Sequence, residues 1–243
     1  MLGAIGIVGA GCTGDGAATP GITVFAAASL TDAFTAIGDV FMAEHPDHPV
    51  TFSFAASSEL VAQVLDGAPA DVVATADLIT MDRLSAGGAT ASPPVVFARN
   101  RAAIAVATGN PLGITDVADL ADDDLVLVVC APEAPCGRYA DELFANAGIA
   151  ATPDSFERNP RAVLTKVALG EADAGIVYAT DIATAAEGTV AAVAIPTDSN
   201  IVADYPIATI TGSVAPDAAQ DFIDVVLSPA GWAILADHGF AAP

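Results

Sequence analysis

From Gly21 onward, short apolar runs alternate with segments whose apolar residues recur at helical spacing, and this alternation constrains the fold more than any other feature. Ile22-Thr23-Val24-Phe25-Ala26 reads as a strand, and Leu30, Ala33, Phe34, Ile37 and Phe41 mark one face of a helix over Leu30 to Ala43. Val50 to Phe54 is the next strand, followed by a helix over Glu59 to Leu65, a strand over Asp71 to Ala74 and a helix over Ile79 to Ala86. Such a βαβαβ order demands parallel strands joined by right-handed crossovers. A second set starts with strands at Ile104 to Ala107 and Leu125 to Val129, with helices at Arg138 to Ala147 and Arg161 to Leu169. Strands at Ala174 to Tyr178, Val190 to Ile195 and Ile207 to Ile210 precede closing helices at Ala215 to Leu227 and Gly231 to His238. The chain is therefore α/β, and either one doubly wound domain or a two-lobed clamp fits the element count.

Length and charge narrow the function classes. At roughly 150 residues per domain, 243 residues make one large domain or two small ones. Seven Lys and Arg stand against 30 Asp and Glu, a net charge of −23, and the only lysine is Lys166. Phosphate backbones and anionic lipid surfaces are bound by clustered basic side chains, so no nucleic acid and no charged membrane surface is expected as a partner. A small anion held by neutral dipoles is not excluded by the same argument.

Residues 1–20 read as an export segment and tether. Leu2 to Gly11 is apolar or glycine throughout, too short to span a bilayer but suited to the core of a signal peptide. Gly9-Ala10-Gly11-Cys12 resembles a lipoprotein signal in which Cys12 is lipidated; a plain secretory signal is the alternative. Thr13 to Gly21 has the composition of a flexible tether. In an exported protein Cys130 and Cys136, six apart with Pro132 and Pro135 between them, are expected as a small-loop disulfide rather than a reactive or metal-binding pair.

In open α/β sheets, ligands sit beyond the carboxyl ends of strands, where helices begin. Two junctions here share one pattern: Ala26-Ala27-Ala28-Ser29-Leu30 and Phe54-Ala55-Ala56-Ser57-Ser58-Glu59. Small residues let the backbone approach a ligand, while a helix end with a free amide and a serine hydroxyl suits an anion. An ordinary N-cap uses the same residue types. Pro135-Cys136-Gly137-Arg138-Tyr139 and the strand ending at Tyr178 are further candidates.

Other patterns carry less. His45 and His48 lie in a proline-rich turn, and Asp122-Asp123-Asp124 reads as a solvated face. No G-x-S-x-G surrounds Ser29, and no phosphate-binding glycine loop opens a helix, so no enzyme is expected.

Thr23 to Leu30, Phe52 to Leu60, Gly67-Ala68-Pro69-Ala70-Asp71-Val72 with Ala76-Asp77, Pro135 to Tyr139, Gly170 to Asp181 and Tyr205-Pro206 follow one another in an order that resembles the periplasmic molybdate-binding protein family, ModA, over Gly21 to Pro243. The resemblance implies a two-lobed type II periplasmic-binding fold, each lobe a mostly parallel sheet flanked by helices. It places 21–99 plus 206–243 in the first lobe and 100–205 in an inserted second lobe. It also implies an exported, monomeric solute-binding component of an ABC importer, working with a permease and its ATPase and needing no cofactor. The ligand would be molybdate or tungstate, with sulfate, phosphate or phosphonate as alternatives within the class and a hydrolase or ligand-sensing domain outside it. Molybdenum or tungsten would be met only as the oxyanion.

Carried over position by position, the resemblance assigns Ser29 and Ser57 as hydroxyl and amide donors, Cys136 as an amide donor and Tyr178 as a hydroxyl donor. A fifth amide falls on Pro160, which has no N–H, so Arg161 is the expected substitute donor unless the shell has one hydrogen bond fewer.

Overall fold

The computed structural model describes residues 20–243, so the export segment and Cys12 lie outside the described residues. The first strand, β1 (Ile22–Ala27), is apolar on both faces and almost wholly buried, as a central parallel strand must be. It runs through a single 3-10 turn (Ala28–Leu30) into α1 (Thr31–Glu44), which buries Phe34, Ile37 and Phe41 at helical spacing. The pattern repeats in β2 (Val50–Ala55), α2 (Ser57–Leu65), β3 (Val72–Ala74) and α3 (Leu78–Ala86). β2 and β3 flank β1, both parallel to it. Buried Asp71 ties this group together, accepting from the Thr23 amide at 2.7 Å and from Ser213 Oγ at 2.5 Å.

The long strand β4 (Val95–Ala107) leads into the second group: β5 (Leu127–Cys130), α4 (Pro135–Ala147), β6 (Ser155–Glu157), α5 (Pro160–Ala168), β7 (Ala174–Tyr178), α6 (Ala179–Ala183) and β8 (Val190–Ala194). Here β5 is parallel to both β6 and β7. The chain returns along β9 (Val202–Thr209) and ends with α7 (Pro216–Leu227) and α8 (Pro229–Asp237). Strand order is β2-β1-β3-β9-β4-β7-β5-β6, with β8 beside β4. Among the described residues, no helix is long and apolar enough to cross a membrane.

The expectation of mostly parallel sheets describes the outer strands of each group; β4 and β9 add antiparallel pairs at the centre. β9 is antiparallel to β3 and to β4, while β4 is antiparallel to β7 and β8. Over Val95–Arg101, β4 pairs with β9; from Ala102 on, it pairs with β7 and β8. Both strands start well before the apolar runs Ile104–Ala107 and Ile207–Ile210 that mark them in the sequence. The reason is polar: Arg99, Asn100, Arg101 and Asp204 interrupt the apolar pattern, and Arg99 Nε satisfies Asp204 Oδ1 across the ladder at 2.8 Å. β6 is too short and too exposed to show a pattern in the sequence.

Packing of the first group centres on Phe222 of α7. Its ring lies 6.0 Å from Phe34, 5.5 Å from Phe41 and 6.1 Å from Phe52, so one side chain joins α1, β2 and α7. Replacing such a residue removes transfer energy and leaves a void. Phe222→Ala is expected to lower the unfolding free energy by about 3–5 kcal/mol, measured by chemical denaturation monitored by circular dichroism.

Candidate functional site

A small cavity lies where the two groups of elements meet. Its lining comes from strand-to-helix junctions: Ala27, Ala28 and Ser29 after β1, Ala55, Ala56 and Ser57 after β2, and Ala76 after β3. From the other side come Ala134 before α4, Pro135 and Cys136 in its first turn, Pro160 at the start of α5, and Tyr178 at the end of β7. No charged side chain is among these lining residues. Helix N-termini carry partial positive charge and amides without intrahelical acceptors, so their convergence makes a cradle for an anion.

Each junction is shaped by its residues. The alanines keep the walls low. Gly137 is required where α4 begins: a Cβ there would lie 2.1 Å from the Ala131 carbonyl oxygen and 2.8 Å from that of Cys130. The close approach is compatible with the Cys130–Cys136 disulfide, whose Cα atoms are 5.6 Å apart. Pro135 occupies the first turn of α4 and Pro160 that of α5, where a missing N–H breaks no helical bond.

One hydroxyl is held as a donor. Ser57 Oγ accepts the Ala76 amide hydrogen at 3.0 Å, which leaves its own hydrogen for the cavity. Ser29 Oγ lies 2.8 Å from Tyr205 Oη. Tyr178 Oη is buried with no hydrogen-bond partner in the protein, although a buried hydroxyl without one costs about 1–3 kcal/mol. A ligand oxygen in the cavity would satisfy it. Burial, more than any neighbouring charge, pushes the phenols of Tyr178 and Tyr205 well above their usual range, so both stay protonated.

Two ion pairs flank the cavity, joining elements from opposite sides of it. Arg138 of α4 binds the buried carboxylate of Asp77, which caps α3, and donates to Thr80 Oγ1 at 2.8 Å. Arg161 of α5 binds Asp32 of α1, Nη2 to Oδ2 at 2.5 Å, and its Nε lies 3.8 Å from Asp181 Oδ1.

Ser29, Ser57, Cys136 and Tyr178, assigned on the resemblance, are thus brought to one cavity from four separate junctions. Pro160 also lines it and supplies no N–H. Arg161, expected as the substitute donor, is not among the lining residues; its guanidinium is engaged by Asp32. Two buried residues behind the cavity, Tyr205 and Asn100, received no role from the sequence. Tyr205-Pro206 was one of the segments that carried the resemblance, while nothing in the sequence singled out Asn100.

Among known proteins, residues 22–241 match the family model described as bacterial extracellular solute-binding protein. The molybdate-binding protein ModA of Mycobacterium tuberculosis is 43% identical over 222 residues, covering 91% of this chain and 85% of that protein. The solved periplasmic molybdate-binding protein of Azotobacter vinelandii superposes with a TM-score of 0.76 at 18% identity, covering 91% of this chain and 99% of that one. The sulfate-binding protein SubI of Mycobacterium tuberculosis superposes with a TM-score of 0.78 at 22% identity, covering 92% and 87%. Both neighbours have the periplasmic-binding-protein fold.

Asp181, fully buried at the start of α6, is the one carboxyl near the site with a strongly displaced pKa. Burial pushes it up to about 7, against the Tyr178 amide hydrogen bond and the Arg161 charge, which favour ionisation; Asp32 adds to the rise. A carboxyl raised above its unfolded value of about 4 favours the folded state fully at low pH. That contribution is lost as pH rises through about 7, where the buried group must ionise. Asp181→Asn, which keeps an acceptor for the Tyr178 amide, is expected to melt a few degrees higher than the parent at pH 8. The two should converge near pH 4 in ligand-free thermal unfolding.

Proposed function

The chain belongs to the bacterial extracellular solute-binding proteins, and within them to the family of the molybdate-binding protein ModA, and from that premise we propose that it captures molybdate or tungstate outside the cytoplasm for an ABC importer. The observation that carries the reading is the cavity itself: small, free of charged side chains, and lined by helix N-termini with two serine hydroxyls and an unpartnered buried phenol. A fully deprotonated tetrahedral oxyanion accepts hydrogen bonds on every oxygen, and this lining offers donors. Ser29, Ser57 and Tyr178 donate through hydroxyls and Cys136 through its first-turn amide. Pro160 leaves its place in the shell without an amide.

In this reading the protein binds without chemistry and without a cofactor, as a monomer, and delivers its ligand to a permease driven by an ATPase. The parts 21–99 with 206–243 and 100–205 act as lobes closing on the ligand, with β4 and β9 as the crossings between them. Helix dipoles and buried amides hold the anion, so the net charge of −23 belongs to the outer surface and opposes capture only through long-range repulsion, which salt screens. Cys12 is the proposed lipid attachment point, supported by the small residues before it and the tether after it.

A thermal-shift panel tests the ligand. Molybdate and tungstate are expected to raise the melting temperature, since ligand at 100 times its Kd stabilises by about 2.7 kcal/mol. A shift with sulfate or phosphate and none with molybdate would overturn the assignment. Ser29→Ala and Ser57→Ala should each remove most of the molybdate response. For the anchor, Cys12→Ala is expected to move the protein from the membrane fraction of expressing cells to the soluble exported fraction.

A further inference from the structure

We propose that Asn100 and Tyr205 are positioning residues that commit Ser29 to donating its hydrogen into the cavity, and that they thereby select oxyanions carrying no proton. The inference rests on the oxyanion reading above and adds residues outside the cavity lining that determine specificity.

The order of donors follows from the hydrogen bonds. Asn100 Oδ1 accepts the Arg101 amide hydrogen at 2.9 Å, which orients the side-chain amide. Its Nδ2 therefore faces Thr180 Oγ1 at 2.8 Å and Tyr205 Oη at 3.3 Å, with one hydrogen for each. The Tyr205 oxygen receives a hydrogen from Asn100, and its own hydrogen has Ser29 Oγ, 2.8 Å away, as acceptor. Tyr205 is fully buried, so that hydrogen cannot turn to water instead. Ser29 accordingly accepts from Tyr205 and cannot direct its own hydrogen back; it is left for the cavity. The sequence of donation runs Asn100 to Tyr205 to Ser29 to ligand.

Ser57 reaches the same state by another route, because the main-chain amide of Ala76 occupies one of its lone pairs. No side-chain substitution removes that donor. Ser29 is the hydroxyl whose direction depends on side chains, and both of those side chains lie on the strands that cross between the two groups of elements, β4 and β9. A protonated oxyanion brings a hydrogen into this shell of donors and leaves it unpaired, which excludes it. If Ser29 were free to turn its hydrogen toward position 205 or away, its lone pairs would face the ligand and accept that hydrogen.

The test compares molybdate, which carries no proton at pH 7, with arsenate, a tetrahedral oxyanion that carries at least one. Affinities are measured by isothermal titration calorimetry on the parent protein, on Tyr205→Phe and on Asn100→Asp. Tyr205→Phe deletes the hydrogen that Ser29 accepts. Asn100→Asp replaces the donor to Tyr205 by an acceptor, so the phenol hydrogen turns to it and Ser29 donates to Tyr205. In both variants molybdate is expected to bind roughly ten-fold more weakly, while arsenate binds as well as or better than in the parent. The molybdate-to-arsenate ratio should then fall at least ten-fold. Loosened packing alone would weaken both anions alike, so an unchanged ratio in folded variants overturns the assignment. If Tyr205→Phe fails to fold, the near-isosteric Asn100→Asp decides by the same ratio. A parent protein that binds no tetrahedral oxyanion overturns the functional reading, and this inference falls with it; a parent that binds molybdate with variants of unaltered ratio overturns this inference alone.

Discussion

The antiparallel ladder between β4 and β9 is the constraint on which the rest of the structure depends. It joins a parallel group, β2-β1-β3, to a second group, β7-β5-β6, so that the carboxyl ends of both face one another. Helices start at those ends, and their N-termini therefore converge on one small volume. Without the ladder there would be two separate half-cradles, each with a few orphan amides solvated by water. With it, the partial charges add over a cavity that excludes most of that water, where dipoles act more strongly than in bulk solvent.

The same ladder also carries side chains toward the site. Asn100 on β4 and Tyr205 on β9 lie behind Ser29, and the Tyr205 ring meets that of Tyr178 edge to face at 5.9 Å. Strands that cross between the halves therefore touch hydroxyls from both halves. The ion pairs follow a related economy of placement. Arg138 stands two residues after Cys136, Arg161 directly after Pro160, and Asp77 directly after Ala76. Each clasp residue lies within three positions of a cavity residue, so the pairing of the charges is tied to the placement of the walls. Partly exposed pairs of this kind contribute modestly to stability, but Asp77 is nearly buried and depends on Arg138 for compensation.

Much of the fold was legible because its signals are local. The buried parallel strands β1, β5 and β7 are nearly unbroken apolar runs, and α1, α4 and α7 show one apolar face each. The site was legible at Ser29 and Ser57, where small residues and a hydroxyl stand at a strand-to-helix junction. Cys136 and Tyr178 needed the family resemblance, because a loop cysteine and a strand-end tyrosine look the same in many contexts. The early parts of β4 and β9 were less legible: β4 opens on the apolar Val95-Val96-Phe97-Ala98, but Arg99-Asn100-Arg101 break that run, as Asp204 breaks β9, and Arg99 and Asp204 satisfy one another only across the ladder. Arg161 has a partner that is likewise invisible in the sequence. Sequence puts it next to the missing amide of Pro160, but its charge is claimed by Asp32, 129 residues away.

By itself the sequence determined the α/β alternation, the absence of a basic surface, and the junctions able to offer neutral donors, since periodicity, charge count and capping chemistry are properties of neighbouring residues. Tertiary structure alone decided that these junctions share one cavity, that Tyr178 is left without a partner inside it, and that Asn100 and Tyr205 stand behind Ser29. Those relations join residues tens to more than a hundred positions apart, and a hydrogen bond's direction depends on which other donors its acceptor already serves. That information exists only once the chain has folded.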